Sequence, residues 1–476
     1  MSDIASTAAV DDRIGRPTGG RPGLTLAALG SAGLVVSLQQ TLVLPLLPRM
    51  QREFHTSVSS VAWVFTATLL AGAVATPLLS RFGDMYGKKK MIMLTMVVLL
   101  VGSVICALST SLGLLVAGRA LQGASSAVIP LAIGTIRDTF PRERVTAAIG
   151  VVSATLGVGG ALGMLVTGVV AEHTDTHRPV FWISAAMALV GLILVILFTQ
   201  EAGVRAGGRP DIVGALLLAG FLVALLLGIS QGNDWGWSDG RTVTLFGVAA
   251  VLAVVWIMVE RRVAEPLVQL RLLAGPQSLS ANIASLMLGF ALFGSFSLVS
   301  QFIQTPEEVG YGLSGSVLDV GLYMLPSTIT MLVFSALAGP LEARLGAART
   351  MALGSFVAAL AFVWLAVNHD SGADLLIFSG VQGIGVGVAY AALGTMAVQH
   401  VPMDQSGIAS GVNALVRTGG GSIASAATAA VLAGQVIKDT GVPSVDGYVI
   451  CLFFAAGAAL LASVLGAAES MRQRTP

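Results

Sequence analysis

Long, unbroken apolar runs dominate this sequence and limit what it can fold into. Fourteen of them are long enough to cross the hydrocarbon core of a bilayer as helices, which takes roughly 20 residues. They cover 24–47, 61–80, 91–109, 112–133, 146–170, 180–199, 212–230, 243–259, 281–303, 317–338, 351–367, 373–397, 408–433 and 448–467. A transmembrane β-barrel would show alternating apolar residues instead of continuous runs. The pattern therefore predicts an all-α polytopic membrane protein.

The scarcity of charge agrees with this interpretation. Charged residues make up 11% of the 476 residues, whereas soluble proteins carry about 25%. This excludes a soluble enzyme, and the near balance of 26 basic and 25 acidic residues gives no field that would attract nucleic acid. Cys106 and Cys451 lie inside apolar runs, so no disulfide framework is expected. The five histidines form no metal-ligand cluster, and we expect neither a metal nor a cofactor.

The basic residues predict the topology. With the N-terminus placed inside, nineteen Lys and Arg fall on the inner side and five on the outer side. Two more, Arg119 and Arg417, lie within predicted spans. Basic residues concentrate in cytoplasmic loops, so both termini are expected in the cytoplasm. One long apolar stretch, 91–133, would be about 65 Å as a single helix, and we expect a break at Thr110–Ser111.

The two halves of the chain repeat each other. Gln122-Gly123 and Gly134-Thr135 recur about 260 residues later as Gln382-Gly383 and Gly394-Thr395, and Gly87 corresponds to Gly346. Such repeats build many secondary transporters, with the substrate site near the midplane. The predicted units are listed in chain order: a flexible cytoplasmic tail (1–23), a six-helix bundle (24–199), a two-helix insertion (212–259), a second six-helix bundle (281–467) and a cytoplasmic tail (468–476).

The connection between the second and third spans carries an acid among basic residues. Residues 80–90 read SRFGDMYGKKK, and a tight turn there needs Gly87. This segment resembles the signature loop of the major facilitator superfamily, with Ser80 and Met85 replacing that loop's first glycine and a basic residue. The resemblance implies a gating role for Asp84, Gly87 and Lys88. Alternatively, the basic residues only hold the loop inside.

The fourth span contains an arginine that needs a partner or a water-filled cavity. Arg119, Gln122 and Ser126 share one helix face. The segment is similar to the fourth-span motif of proton-driven exporters, which implies a role for Arg119 in proton coupling. A structural arginine that bonds to a neighbouring helix is the alternative.

The fifth span is rich in glycine. Gly159 and Gly163 have the Gly-x-x-x-Gly spacing that lets helices approach closely. Exporters of the superfamily usually carry Gly-Pro-x-x-Gly-Gly here, and this chain has Gly160 and Met164 instead of the proline and the last glycine. The remaining resemblance implies gating by Gly157, Gly159 and Gly163, while close packing alone would also explain them.

Fourteen spans in a 6+2+6 arrangement resemble the fourteen-helix drug:proton antiporter family. The expected fold is thus two six-helix bundles plus two extra central helices. That family usually has Asp-x-Thr near the end of the first span, where this chain has Gln39-Gln40-Thr41. Loss of this acid argues against a strictly cationic substrate.

Proton coupling requires a titratable group in a low-dielectric cavity. Asp319, on one face with Tyr323 and Pro326 near the outer end of the tenth span, is the expected proton carrier; a helix cap is the alternative. Arg417, four residues after Asn413, is expected to pair with Asp319, to meet an anionic substrate group or to snorkel to the interface. The polar residues predicted to bind substrate are Gln39, Gln40, Trp63, Gln122, Gln301, Tyr323, Gln382, Tyr390, Asn413 and Arg417.

These features predict a proton-coupled exporter, an antiporter of hydrophobic or amphiphilic small molecules such as drugs, and not an enzyme. The alternatives are a carrier for one defined metabolite or lipid, and a non-transporting membrane sensor. Its partners would be a small-molecule substrate, protons and the lipid bilayer, and it would be a monomer. The 22 Arg against 4 Lys indicate a bacterial gene of high GC content, so we expect the bacterial plasma (inner) membrane.

Overall fold

The protein is a bundle of long helices. The computed structural model describes residues 22–43, 46–56, 58–174, 176–201, 211–263, 266, 270, 275–402, 406–435, 437 and 442–472. The predicted tails lie mostly outside these residues; Pro22 and Gly23 begin the first helix and 468–472 extend the last one. Fourteen long helices follow one another, and a short helix, Leu47–Glu53, lies after the first.

The fourteen long helices correspond to the fourteen predicted spans. They are α1 (Pro22–Thr41), α2 (Val58–Tyr86), α3 (Lys88–Leu108), α4 (Leu112–Thr139), α5 (Arg142–His173), α6 (Arg178–Phe198), α7 (Ile212–Trp235), α8 (Gly240–Glu260), α9 (Pro276–Gln304), α10 (Val317–Leu345), α11 (Ala347–Val367), α12 (Gly372–Val398), α13 (Ser406–Gly434) and α14 (Val445–Arg472). Thirteen are long and apolar enough to cross a membrane; α13, rich in Gly, Ala and Ser, is the one outside that set. The all-α polytopic fold class is confirmed.

Successive helices run back and forth, so the start of α1 and the end of α14 lie on one side of the bundle. We call this the termini side and the opposite one the far side. The break expected at Thr110–Ser111 is present, because α3 ends at Leu108 and α4 begins at Leu112. The Ser111 hydroxyl caps α4 by accepting a hydrogen bond from the backbone N–H of Leu114 at 3.4 Å.

Several helices extend beyond their predicted spans, and α2 is one example. Residues 81–86, predicted as loop, continue α2, and only Gly87 separates α2 from α3. The apolar run ends near Ser80, but the helix continues through charged residues to Tyr86. Asp84, in this last part of α2, pairs with Lys88 at the start of α3. Gly87 has φ 118° and Gly346, which joins α10 to α11, has φ 82°. Both values favour glycine. The same kind of turn therefore joins the second and third helices of each repeat.

The first six and last six long helices meet along two seams. In one seam α5 runs beside α10 and touches α12, with small residues at the contacts. A Cβ on Gly150 would lie 2.5 Å from the Ser335 carbonyl oxygen, and one on Gly321 would lie 2.8 Å from the Leu165 Cα. In the other seam, α2 and the last part of α4 pack on α13.

The two inserted helices, α7 and α8, pack on each other, and α7 also lies against α2 and α13. Leu218 and Leu222 of α7 contact Val74 and Leu78 of α2 and Leu415 of α13, among other residues. The insertion therefore covers the outside of the α2–α13 seam.

The glycines of α5 divide between two neighbours. A Cβ on Gly159 would lie 2.5 Å from the Ser37 Cβ, and one on Gly163 would lie 2.5 Å from the Leu38 carbonyl oxygen, both on α1. Gly157 instead faces the Met331 side chain on α10. Gly159 and Gly163 thus permit the α1–α5 contact within the first half, whereas Gly157 permits contact between the halves.

We predict that Gly159→Val and Gly163→Val each lower the free energy of unfolding by about 1–3 kcal/mol, because the added methyl groups push α1 away from α5. Thermal unfolding of the purified protein in detergent measures the effect. The matched control is Gly247→Val in α8, where a Cβ would meet no atom within 4 Å. Equal melting temperatures for all three variants would contradict the close α1–α5 contact.

Candidate functional site: a central cavity with buried charges

A buried ion-pair cluster lies at the termini side of the first half, where α2, α3 and α4 meet. The Lys88 Nζ lies 2.9 Å from the Asp84 Oδ1 and 2.6 Å from the Asp138 Oδ2, and all three side chains are almost fully buried. Asp84 ends α2, Lys88 begins α3 and Asp138 ends α4, so the cluster fixes three helices together. Removing one partner of a buried ion pair strongly destabilises the protein, because the remaining charge is left uncompensated.

A neighbouring contact joins this cluster to the second half. The Arg137 Nη2 donates a 2.5 Å hydrogen bond to the Val401 carbonyl oxygen, just after α12. A Cβ on Gly411 of α13 would lie 2.7 Å from the Ser80 Oγ, which shows how closely α2 and α13 approach. Partial burial lowers the pKa of His400 and outweighs the opposing effect of Glu469, so the imidazole is neutral at pH 7 and adds no charge. We call these contacts of Asp84, Lys88, Asp138 and Arg137 the latch.

Arg119 is completely buried in the first half. Its Nη1 donates to the Oε1 atoms of Gln39 and Gln122, both at 2.8 Å, and its Nε donates to the Val64 carbonyl oxygen at 3.0 Å. All of these acceptors are neutral. Among the described residues no carboxylate pairs with Arg119, and its Nη2 has no hydrogen-bond acceptor. Its charge is therefore solvated by dipoles but not neutralised.

The acceptors of Arg119 are themselves oriented by a second layer of bonds. The Gln122 Nε2 donates to the Ser103 Oγ at 2.7 Å, and Ser103 bonds to Ser184 at 3.1 Å. This fixes the Gln122 amide with its oxygen toward the guanidinium. Gln122 and Gln39, both predicted to bind substrate, lie in this buried network.

The second half has a neutral counterpart of this network. The Gln382 Nε2 donates to the Ser295 Oγ at 2.9 Å, and its Oε1 accepts from the Ser327 Oγ at 3.0 Å. Ser379, whose Oγ accepts from the Ser327 N–H, occupies the position 260 residues after Arg119. The repeat therefore keeps the glutamine and replaces the arginine by serine.

A cavity of about 30 Å³ lies near the middle of the bundle between the halves. Residues of α1, α2, α4 and α5 line it on one side and residues of α9 and α13 on the other. Its polar lining consists of Gln40, Thr68, Thr76, Ser126, Arg417 and Thr418. Leu156, Ile129 and Phe293 contribute apolar surface. Ser126 lies in a 3₁₀ turn that interrupts α4, and such turns often mark a hinge.

Arg417 provides the charge of this cavity. Its side chain is 8% exposed, and its Cζ lies 5.3 Å from the centre of the Tyr390 ring. The guanidinium is therefore directed to the interior, not to the membrane interface, and it lies over Tyr390 instead of pairing with Asp319. Asn413, one turn away, bonds to Ser285 and Asn282 of α9 and holds α9 and α13 together.

Other predicted site residues lie at the far side. The Asp319 carboxylate accepts bonds from the N–H and Oγ of Ser316 and completes a capping box at the start of α10. This geometry favours the helix-cap alternative. Tyr323 packs against Gly372 at the start of α12, Gln301 is exposed on α9, and Trp63 is half-buried on α2. Of the ten predicted substrate residues, Gln40 and Arg417 line the cavity.

Asp138 and Glu342 are among the buried acids that the sequence patterns did not single out. Asp138 was counted with a loop, although Asp84, Lys88 and Asp138 share one cluster. Glu342, near the end of α10, is 7% exposed and lies beside Thr395 of α12. Its Oε1 has no hydrogen-bond partner among the described residues. Both acids lie just beyond the apolar runs, where hydropathy gives no sign of burial.

Comparison with known proteins shows which family and which proteins this chain is similar to. The family profile described as Major Facilitator Superfamily matches residues 29–426 and 327–472. The chain is 28% identical to the Tetracenomycin C resistance and export protein of Streptomyces glaucescens, over 88% of this chain and 77% of that protein. It is also 28% identical to the Multidrug resistance protein Stp of Mycobacterium tuberculosis, over 86% of this chain and 76% of that protein. The crystal structure of the human organic anion transporter MFSD10 (TETRAN) has a similar fold, with a TM-score of 0.64 and 16% identity over 94% of this chain and 99% of that one.

We predict that Gln39→Leu lowers the free energy of unfolding by about 1–3 kcal/mol, because it removes an acceptor from a buried, charged donor. The matched control is Gln40→Leu, whose amide is half-buried and makes only a 3.4 Å bond to the Ser126 Oγ. Thermal unfolding of the purified variants measures the difference. If both variants melt together, Gln39 does not stabilise Arg119.

Proposed function

The chain belongs to the Major Facilitator Superfamily, and we propose that it is a secondary active exporter of hydrophobic or amphiphilic small molecules in a bacterial plasma membrane. The observation that carries this proposal is the central cavity, which is lined by helices of both halves. A site between two repeats near the midplane can be exposed to either side when the halves rock against each other. The names of the two bacterial relatives, which refer to resistance and export, support the same assignment.

We propose that the latch holds the cytoplasmic side closed in this conformation. The proposal takes the termini side as cytoplasmic, following the excess of basic residues there. Lys88 has two carboxylate partners at hydrogen-bond distance, and Arg137 reaches the loop after α12. Opening toward the cytoplasm would have to separate α13 from α2 and α4. The rigid α5–α10 seam, with its glycines, would serve as the surface on which the halves rock.

We propose that export is driven by proton antiport, with the proton carried by a carboxyl of α10. Asp319, the predicted carrier, bonds to Ser316 at the far end. Glu342 is a second candidate because it is buried beside α12 without a salt-bridge partner among the described residues. Its position near the termini side places it where closure against α12 would control access of protons from the cytoplasm.

Transport by inverted membrane vesicles tests the proposed function. We expect energy-dependent uptake of several unrelated amphiphiles when the vesicle interior is made acidic, because antiport exchanges internal protons for external substrate. Vesicles from the same cells without the protein provide the control. Uptake of one compound alone would favour the alternative of a carrier for a defined metabolite or lipid, and no uptake at all would favour a sensor.

We predict that either Asp319→Asn or Glu342→Gln abolishes the stimulation of uptake by the pH gradient, because an amide cannot bind and release the proton. Exchange of substrate down its own gradient should survive in the same variant, which separates coupling from folding. The control is Glu143→Gln, an exposed acid at the start of α5. Normal stimulation in both α10 variants would rule out a carboxyl of α10 as the carrier.

We predict that Asp84→Asn reduces the maximal rate of uptake by about tenfold or more, because Lys88 loses one of two buried anionic partners. Accessibility of a cysteine introduced at Ser410, a buried residue of α13, should rise from the cytoplasmic side in the variant. The reference is the same cysteine without the Asp84 change. Unchanged accessibility would contradict the proposed latch.

A further inference from the structure

The described lining of the central cavity contains one charge, and that charge is positive. Its lining includes neutral hydroxyls, the Gln40 amide, apolar side chains and a single charged group, Arg417. The acids that the structure describes elsewhere in the long helices lie toward the ends: Asp84, Asp138 and Glu342 at the termini side and Asp319 at the far side. No described carboxylate lines the cavity. A cationic ligand would therefore find no counter-ion there.

Arg417 is held in place as an unpaired cation. Its guanidinium lies over Tyr390, and among the described residues no hydrogen bond or salt bridge from its side chain is recorded. Gly289 of α9 closes in on its backbone and stem, because a Cβ there would lie 2.9 Å from the Arg417 Cγ. The residue is only 8% exposed, and it lines the cavity. A buried guanidinium without an anion is costly, and a ligand anion would relieve that cost.

Arg119 adds to the same field. It lies behind the α2 wall of the cavity, since Thr68 lines the cavity and donates its hydroxyl to the Arg119 carbonyl oxygen at 3.1 Å. Its acceptors are the neutral amides of Gln39 and Gln122, which leave the positive charge uncompensated. Interactions between charges are strong in a low-dielectric interior, so both arginines raise the potential of the cavity.

We propose that the substrates of this protein are amphiphilic anions, with a carboxylate, phenolate or similar acidic oxygen bound at the Arg417 guanidinium. The planar fork of arginine donors matches such oxygens in a bidentate manner. The apolar part of the ligand would lie against Phe293 and Leu156, which line the same cavity. This inference names the substrate class and rests on the proposed function as an exporter.

A matched set of probes tests the proposal, because the aromatic body stays constant while the charge changes. The probes are 1-naphthaleneacetate, 1-naphthaleneacetamide and (1-naphthylmethyl)trimethylammonium, and uptake into proteoliposomes and binding to the purified protein are both measured. We expect tighter binding and faster uptake of the carboxylate than of the amide or the ammonium. In Arg417→Gln the carboxylate should lose about tenfold or more relative to the amide.

Three further variants keep the test decisive. Arg417→Lys should retain part of the preference for the carboxylate, and Gln40→Glu, which places an acid in the cavity lining, should shift the preference toward the ammonium probe. Arg241→Gln, an exposed arginine paired with Asp239 at the start of α8, should change neither. If Arg417→Gln does not fold, the binding preferences of Arg417→Lys and Gln40→Glu still decide the matter.

The outcomes separate this inference from the proposed function. Uptake of the amide and ammonium probes with no preference for the carboxylate would overturn the substrate class and leave the exporter intact. An equal response of the carboxylate and the amide to Arg417→Gln would also overturn it. Absence of uptake of any probe by the unmodified protein, with binding of the carboxylate retained, would overturn the exporter and leave the anion site.

Discussion

The rest of this structure is constrained by two buried guanidiniums, Arg119 and Arg417, which have no carboxylate partner among the described residues. Arg119 is tolerated because several acceptors are aimed at it, and Ser103 and Ser184 in turn hold the Gln122 amide in the required orientation. A neutral amide satisfies a donor but leaves the charge in place. The interior of the first half is therefore rigid and positive, which a carboxylate at position 39 would have changed. In this sense the Gln39-Gln40 pair, and not the arginine alone, sets the chemistry of the cavity.

The internal repeat explains why the cavity is asymmetric. Both halves keep a glutamine, Gln122 or Gln382, that bonds to a serine on a neighbouring helix, and both keep the glycine after it, which lets two helices touch. The first half places its cation on α4, in contact with α1 and α2. In the second half that position is Ser379, and the cation, Arg417, lies on α13 and faces the cavity. The repeated scaffold thus supplies packing, while the residues that differ between the halves supply the charge.

Hydropathy was sufficient to predict the fourteen helices, the break before α4 and the turn glycines, because each depends on local sequence. It was also sufficient to single out Arg119 and Arg417, since a charge within an apolar run stands out. It could not predict which polar residues share a cavity. Asn413 bonds to Ser285 and Tyr390 lies under the Arg417 guanidinium, yet neither residue lines the cavity. Nor could it find Asp138 and Glu342, whose burial arises from helices that are distant in sequence. Long-range packing, not composition, decides those positions.

The position of α7 limits how a transporter with this architecture can open. The α2 residues Gly72 and Thr76 line the cavity, while Val74 and Leu78 on the same helix contact α7. On α13, Leu415 takes part in both contacts. Helices α2 and α13 belong to different halves, so α7 bridges the seam between them. In the proposed rocking motion the α5–α10 seam, which is closely packed through glycines, would stay together, and the α2–α13 seam would part. The contacts that α7 makes with both helices through Leu218 and Leu222 are apolar and therefore non-directional. Such contacts fit the proposed rocking of the halves, because apolar surfaces can be remade when α2 and α13 shift.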